Sequence, residues 1–157
     1  LYEIREALEI LATRLAAQRA GDQTLQRIMN VADRHLQAVE SGKLNEYLVL
    51  DRQFHSLIAE GSQNPILVSM LNIIADRIHI VRRLTSDFGK DIFTGGEHHA
   101  IASALMRRDG MEAADLMQQH IQRHGERIRH FLQTESGDEA ELNDDGPDDA
   151  AGRTPRS

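Results

Sequence analysis

The 157-residue chain has no cysteine. That excludes a disulfide scaffold, a cysteine zinc finger, an iron–sulfur cluster and a thiol nucleophile. An excess of positive charge is lacking too: lysine plus arginine number 18 against 25 aspartate plus glutamate, for a net charge of −7. Without clustered lysine and arginine there is no basic stripe to hold phosphates, so no direct contact with nucleic acid is expected of this chain. No apolar run approaches the length of a membrane span, and no basic and apolar leader opens the chain, which points to a soluble, cytoplasmic protein with no membrane partner. Aromatics are few, with four phenylalanines, two tyrosines and no tryptophan. Leu, Ile, Ala, Arg, Gln and Glu dominate instead, a helical composition in which strand signals are scarce.

The length suits one domain, large enough to hold its core without a metal or a disulfide. A metal, if present, would therefore have a task of its own. The negative charge is unevenly spread. Residues 135–157 carry Glu135, Asp138, Glu139, Glu141, Asp144, Asp145, Asp148 and Asp149 against Arg153 and Arg156, which leaves the body, residues 1–134, close to neutral. This tail is rich in Gly, Asp, Glu, Pro and Ser, with Leu142 its one large apolar residue, and is expected to be a disordered acidic extension. The chain opens at Leu1, already in a helical pattern and without an initiator methionine, as a fragment of a longer protein would.

Apolar spacing predicts six helices. In the first, over 2–20, Ile4, Leu8, Leu11 and Leu15 recur at helical intervals and are expected to form the buried stripe. A second runs from about Thr24 to Glu40, with Leu25, Ile28, Val31 or Ala32, Leu36 and Val39 inward and Ser41-Gly42 closing it. A third spans Leu44 to Glu60. Asn64 suits a turn or N-cap and Pro65 a first helical position, opening a long helix with Leu67, Leu71, Ile74, Ile78 and Val81 inward. After a loop over Gly89–Gly96, helices of about 97–108 and 110–133 complete an all-α antiparallel bundle.

Chemistry shows where ionisable residues interrupt the apolar stripes, because burying such a group without a partner is costly. On the third helix Asp51 and His55 stand one turn apart among Tyr47, Leu48, Phe54 and Ile58. His98 shares a face with Ile101, Ala102 and Leu105, and His120 with Ala113, Leu116, Met117 and His124. A carboxylate and three imidazoles brought together from three helices would suit a divalent metal, since imidazole favours zinc, nickel, copper or iron. Each element also has a plainer reading: a satisfied core histidine, or an Asp51–His55 hydrogen-bonded pair.

Five segments, in order, carry a resemblance: Ile4-Arg5-Glu6-Ala7-Leu8-Glu9, Asp51-Arg52-Gln53-Phe54-His55-Ser56-Leu57-Ile58, Asn64-Pro65-Ile66-Leu67, Glu97-His98-His99-Ala100-Ile101 and Met117-Gln118-Gln119-His120-Ile121. Over residues 1–134 the chain resembles the FCD domain, the FadR-type C-terminal effector domain of GntR-family bacterial transcription regulators. The resemblance implies an all-α bundle that senses a small organic acid or sugar acid and acts as a homodimer. It would reach operator DNA only through an N-terminal winged helix-turn-helix that this chain does not include. Many members hold a divalent metal with an aspartate and three histidines, which on the matching motifs are Asp51, His55, His98 and His120. Zinc is the first expectation, with nickel, manganese or iron as alternatives. Members that respond to fatty acyl-CoA lack this full set, which argues against such an effector here.

One carboxylate and three neutral imidazoles leave a divalent ion with a formal charge of about +1 and, in an octahedral site, two open positions to which an effector carboxylate would be drawn. Arg5, at the place of the arginine in the family's opening motif, would add a charge-assisted bond to the same carboxylate; otherwise it is a surface arginine paired with Glu9. Arg82 and Arg83 are further effector-binding candidates by location alone. His99 and His124 compete with the chosen ligands, and the motifs favour His98 and His120. For His35, His79 and His130 only solvated or helix-face roles are expected. A metal-dependent hydrolase-like enzyme is the rival reading, weakened by the absence of an HExxH pair, a phosphate loop or a serine-nucleophile motif. A regulator responding to metal alone is the other alternative.

Overall fold

A computed structural model of the protein describes residues 1–84 and 93–141. Six helices follow in order: α1 (Tyr2–Arg19), α2 (Asp22–Glu40), α3 (Leu44–Gly61), α4 (Pro65–Leu84), α5 (Phe93–Met106) and α6 (Gly110–Glu141). No strand occurs among the described residues, and no helix of theirs is long and apolar enough to cross a membrane. α1 packs chiefly on α6 and α3, α2 lies between α3 and α5, and α4 rests on α3 and α1. The all-α bundle read from composition and periodicity is the observed architecture. Two boundaries differ. α5 starts at Phe93, within the expected loop, and α6 runs past the predicted boundary at 134 to Glu141. Residues 142–157 lie outside the described part of the chain.

The helix ends follow local chemistry. Asn64 caps α4 by accepting the Leu67 backbone N–H at 3.2 Å on Oδ1, directly ahead of Pro65 at the first helical position. Asp109 does the same for α6, accepting from Glu112 N–H at 3.0 Å. Gly42 closes α2 with a φ of 66°, a conformation that costs glycine nothing. Between α5 and α6, Arg108 donates to the carbonyls of Ala17 and Ala20 at 3.2 and 3.0 Å and to Asp22 at 2.7 Å, tying this turn to the end of α1.

The core is built on Phe54, Ile28, Leu50, Ile58, Ile101, Leu105, Met117 and Ile121, all less than 2% exposed. On α4 the expected Leu67, Leu71, Ile74 and Ile78 are buried, and the side chain of Val81 lies outside the described part. α1 corrects the sequence reading. Ile4 is 58% and Leu11 44% exposed, while Leu8 and Leu15 are half-buried. The face turned inward is instead Arg5, Glu9, Ala12, Thr13, Ala16 and Ala17. The reason is proximity: a Cβ added at Gly61 of α3 would stand 3.3 Å from the Cβ of both Ala16 and Ala20, and one at Gly125 of α6 would stand 3.2 Å from Tyr2. Only small side chains fit where helices approach so closely, so leucines are turned outward. The approach also brings Arg5 and Glu9 to the middle of the bundle.

Candidate metal centre

Asp51 and His55 project inward from α3, His98 from α5 and His120 from α6. All four are buried, and one ligand atom of each lies within 4.8 Å of the others. Nε2 of His120 is 3.3 Å from Nε2 of His98 and 3.3 Å from Nε2 of His55, while Nε2 of His98 is 3.7 Å from Oδ1 of Asp51. The four residues singled out in the sequence are thus brought to one point by three helices.

The outer nitrogens explain what the inner ones can do. His55 Nδ1 faces Glu9 Oε1 at 3.1 Å, and His120 Nδ1 faces Glu97 Oε2 at 2.7 Å. At His120 the Glu97 carboxylate accepts the Nδ1 proton, so in the neutral ring Nε2 keeps a bare lone pair; Glu9 stands in the same place behind His55, its oxygen close to Nδ1 but off the line of a hydrogen bond. Two such lone pairs 3.3 Å apart repel, and protonating both rings would set two cations against each other. A divalent cation between them relieves both problems. A zinc-type ion binds imidazole nitrogen at about 2.0–2.1 Å, which separates neighbouring ligands by about 2.9–3.4 Å in octahedral or tetrahedral geometry. The 3.3 Å separations match that range. The residues therefore fit a metal in chemistry and in spacing.

Electrostatics favour the same state. Burial, with His120 and His35 as neighbouring bases, holds the His98 imidazolium well below the usual histidine range, against a partial opposing pull from Asp51. The neutral ring is the ligand form. Burial would raise Glu9, but His55 and then Arg5 outweigh it and hold the carboxyl below its ordinary value. Burial raises Glu97, only partly offset by Arg123 and Arg127. The Arg123 Nε lies 2.8 Å from Glu97 Oε1, so His120, Glu97 and Arg123 form a chain leading out to solvent.

His98 is further fixed by its rings: Phe54 stacks on it with centroids 4.2 Å apart and an interplanar angle of 16°, and His35 lies 4.2 Å away. His35 is fully buried and also lies 4.8 Å from Tyr47. This overturns the solvated role expected of it: α2 places it at the floor of the centre, one turn from Val31 and Val39. His99 is half-exposed and 3.5 Å from Asp33, so the motif-based preference for His98 agrees with the geometry. His124 is buried, its ring 4.5 Å from that of His120, and joins Glu97 and His120 in a second, overlapping group of donors.

Beside the centre a cavity of about 40 Å³ opens between α1, α3 and α4. Arg5, Glu9, Asp51 and His55 line it on the polar side, and Leu71, Ile74 and Ile78 on the apolar side. Arg5 makes the pairing foreseen for a surface arginine, but from a buried position. It pairs with Glu9 at 3.3 Å, yet it is 5% exposed and lines the cavity, so it is not a surface residue. The side chains of Arg82 and Arg83 lie outside the described part of the structure. Glu9 and Glu97 were missed as functional residues. Glu9 is masked by the outward leucine stripe of α1, although its place one turn after Arg5 was visible; Glu97 gives no sequence signal beyond adjoining His98.

Comparison with known proteins finds relatives of this chain and of its fold. The FCD domain family model matches residues 1–123. The chain is similar to the Nta operon transcriptional regulator of Aminobacter aminovorans, at 36% identity over 134 residues, covering 84% of this chain and 61% of that protein. It thus spans about three-fifths of the length of that curated relative. Among solved structures it resembles McbR/YncC of E. coli, with a TM-score of 0.75 and 21% identity over 83% of this chain and 63% of the other. A structure described as the metal-free FCD domain of a transcriptional regulator matches with a TM-score of 0.70 and 22% identity over 85% and 91% of the two chains.

Proposed function

This chain belongs to the FCD domain family, found in GntR-type transcription regulators, and on that premise we propose that it senses a small carboxylate through a divalent metal. The FCD family is regulatory and its curated relatives here are named as transcriptional regulators, so the hydrolase alternative is set aside. Asp51, His55, His98 and His120 would hold the ion, with zinc as first choice for three imidazoles and a carboxylate. When bound, the ion supplies a net positive charge that attracts an anion. The observation that carries the reading is the meeting of three imidazole Nε2 atoms, 3.3 Å from His120 to His98 and to His55, with Glu97 bonded behind His120 and Glu9 close behind His55. Arg5 would hold the effector carboxylate from the cavity side, and the apolar wall of Leu71, Ile74 and Ile78 would exclude water and receive a short carbon chain.

A signal needs two DNA-binding domains whose placement the effector biases, so the working unit is a homodimer, acting on operator DNA in the cytoplasm through an N-terminal domain outside this chain. α4 offers a face for the second copy. Ile66, Met70, Ile73 and Ile80 are 73%, 45%, 60% and 60% exposed and lie in one heptad-spaced stripe that flanks the buried Leu67, Leu71, Ile74 and Ile78. Exposed Ile4 and Leu11 extend the apolar surface on neighbouring α1.

Elemental analysis before and after chelation, followed by a thermal-shift screen of small carboxylates, tests the central claim. About one metal per chain, with carboxylates stabilising only the loaded form, is the expected result. His55→Ala and His120→Ala should each lose most of the metal and melt at lower temperature. Unchanged metal content in both variants would refute the ligand set.

A further inference from the structure

The three imidazoles of the centre are not equally supported on their outer sides. Glu97 accepts the Nδ1 proton of His120 at 2.7 Å, with Arg123 on its other oxygen favouring the ionised form, and Glu9 Oε1 stands 3.1 Å from Nδ1 of His55. His98 has no such neighbour: its Nδ1 is buried without a hydrogen-bond partner among the described residues. Nor is the ring free to turn and find one. It is fully buried, with Phe54 stacked on it at 4.2 Å and an interplanar angle of 16°, and with His35 also at 4.2 Å.

A neutral imidazole carries one proton, on one of its two nitrogens. At His98 the surroundings decide which. Nε2 faces the lone pair of His120 Nε2 at 3.3 Å and the carboxylate oxygen Oδ1 of Asp51 at 3.7 Å, two acceptors, whereas Nδ1 has no acceptor in hydrogen-bond reach. In the metal-free protein the proton therefore belongs on Nε2, donated to His120. An ion needs that same nitrogen bare. The ring stays neutral and keeps its one proton, but the proton must then sit on Nδ1, as a buried donor without an acceptor. His120 undergoes no such change, because Glu97 already fixes its proton on the outer nitrogen.

We propose that His98 is the switching ligand of the centre: holding an ion moves its proton from Nε2 to Nδ1, and the orphaned N–H that results makes His98 a weaker ligand than His120. This rests on the metal-binding reading above. An acceptor behind a ligating histidine is worth about 10–100-fold in metal affinity. His98 forgoes that gain, so the centre should retain an ion better without His98 than without His120.

The test is a long-range proton–nitrogen correlation spectrum of the chain with isotope-labelled histidine at about pH 7.5, above the ordinary histidine range, first metal-stripped and then zinc-loaded. Signals are assigned by their loss in single-histidine variants. His98 should carry its proton on Nε2 in the stripped chain and on Nδ1 in the loaded one, while His120 carries it on Nδ1 in both. In competition with a chelating dye, His98→Ala should bind zinc about tenfold or more tightly than His120→Ala. His98→Gln keeps bulk against Phe54 and decides the comparison if the alanine variant does not fold. A stripped chain in which His98 already carries its proton on Nδ1, or a His98 variant that binds zinc no better than His120→Ala, would overturn the role of His98 and leave the metal centre standing. If the unaltered chain binds no zinc, the metal reading fails and the role of His98 with it.

Discussion

At the scale of the residue, one buried histidine, His98, is held neutral. His98 has its proton affinity lowered by burial first and by His120 and His35 next. Below its ordinary value of 6.5 the unfolded chain takes up a proton at His98 that the folded chain refuses. Stability from this group is thus complete above that pH and is lost as pH falls toward the depressed folded value. Glu9 acts in the same direction further down, where its folded value lies below 4.5. The metal-stripped chain should therefore show a melting temperature that holds from pH 7.5 to about 6.5 and falls as pH is lowered further toward about 5.5. A melting temperature constant over the whole interval would count against a buried neutral His98. Metal should move the curve upward, since it binds only the deprotonated ligands.

At the scale of the element, α1 is the helix whose packing matters most to the centre. Its inward face is alanine and threonine around one ion pair, and it lies close enough to α3 that Ala16 and Ala20 both approach Gly61. That closeness lets Glu9 reach His55 across the helix interface. Ala16→Leu should push α1 away from α3, costing about 1–3 kcal/mol of stability by overpacking. It should also weaken metal retention, because His55 would lose its orienting carboxylate. Chemical denaturation with parallel metal analysis checks both. A variant that loses stability but keeps full metal affinity would separate the packing of α1 from the centre. Leu11→Ala, on the exposed side of the same helix, is the control and should leave metal content unchanged.

At the scale of the whole molecule, the α4 stripe offers a direct test of assembly. A double substitution, Met70→Glu with Ile73→Glu, sets like charges against each other across an isologous contact. It should convert a dimer to a monomer in sedimentation velocity without changing metal content, since neither residue lines the cavity. A dimer that survives the double substitution would move the interface off α4.

Much was legible in the sequence because the relevant forces are local. Helical periodicity and the Asn64-Pro65 start depend on neighbours within a turn or two, and they gave six helices in the observed order, with the start of α5 and the end of α6 displaced. Asp51, His55, His98 and His120 stood out because each interrupts an apolar stripe, and that interruption needs no knowledge of partners. Tertiary structure alone decided which face of α1 is buried. Leucine spacing pointed to Ile4, Leu8, Leu11 and Leu15, but the space between α1, α3 and α6 admits only small side chains, a property of three helices together. The same long-range geometry brought Glu9 to His55 and His35 beneath His98, and set Glu9 on the wall of a cavity. The residue types that hold a metal are written along the chain; the orientation of their nitrogens, and the cavity that opens beside them, depend on side chains far away in sequence whose distances only packing sets.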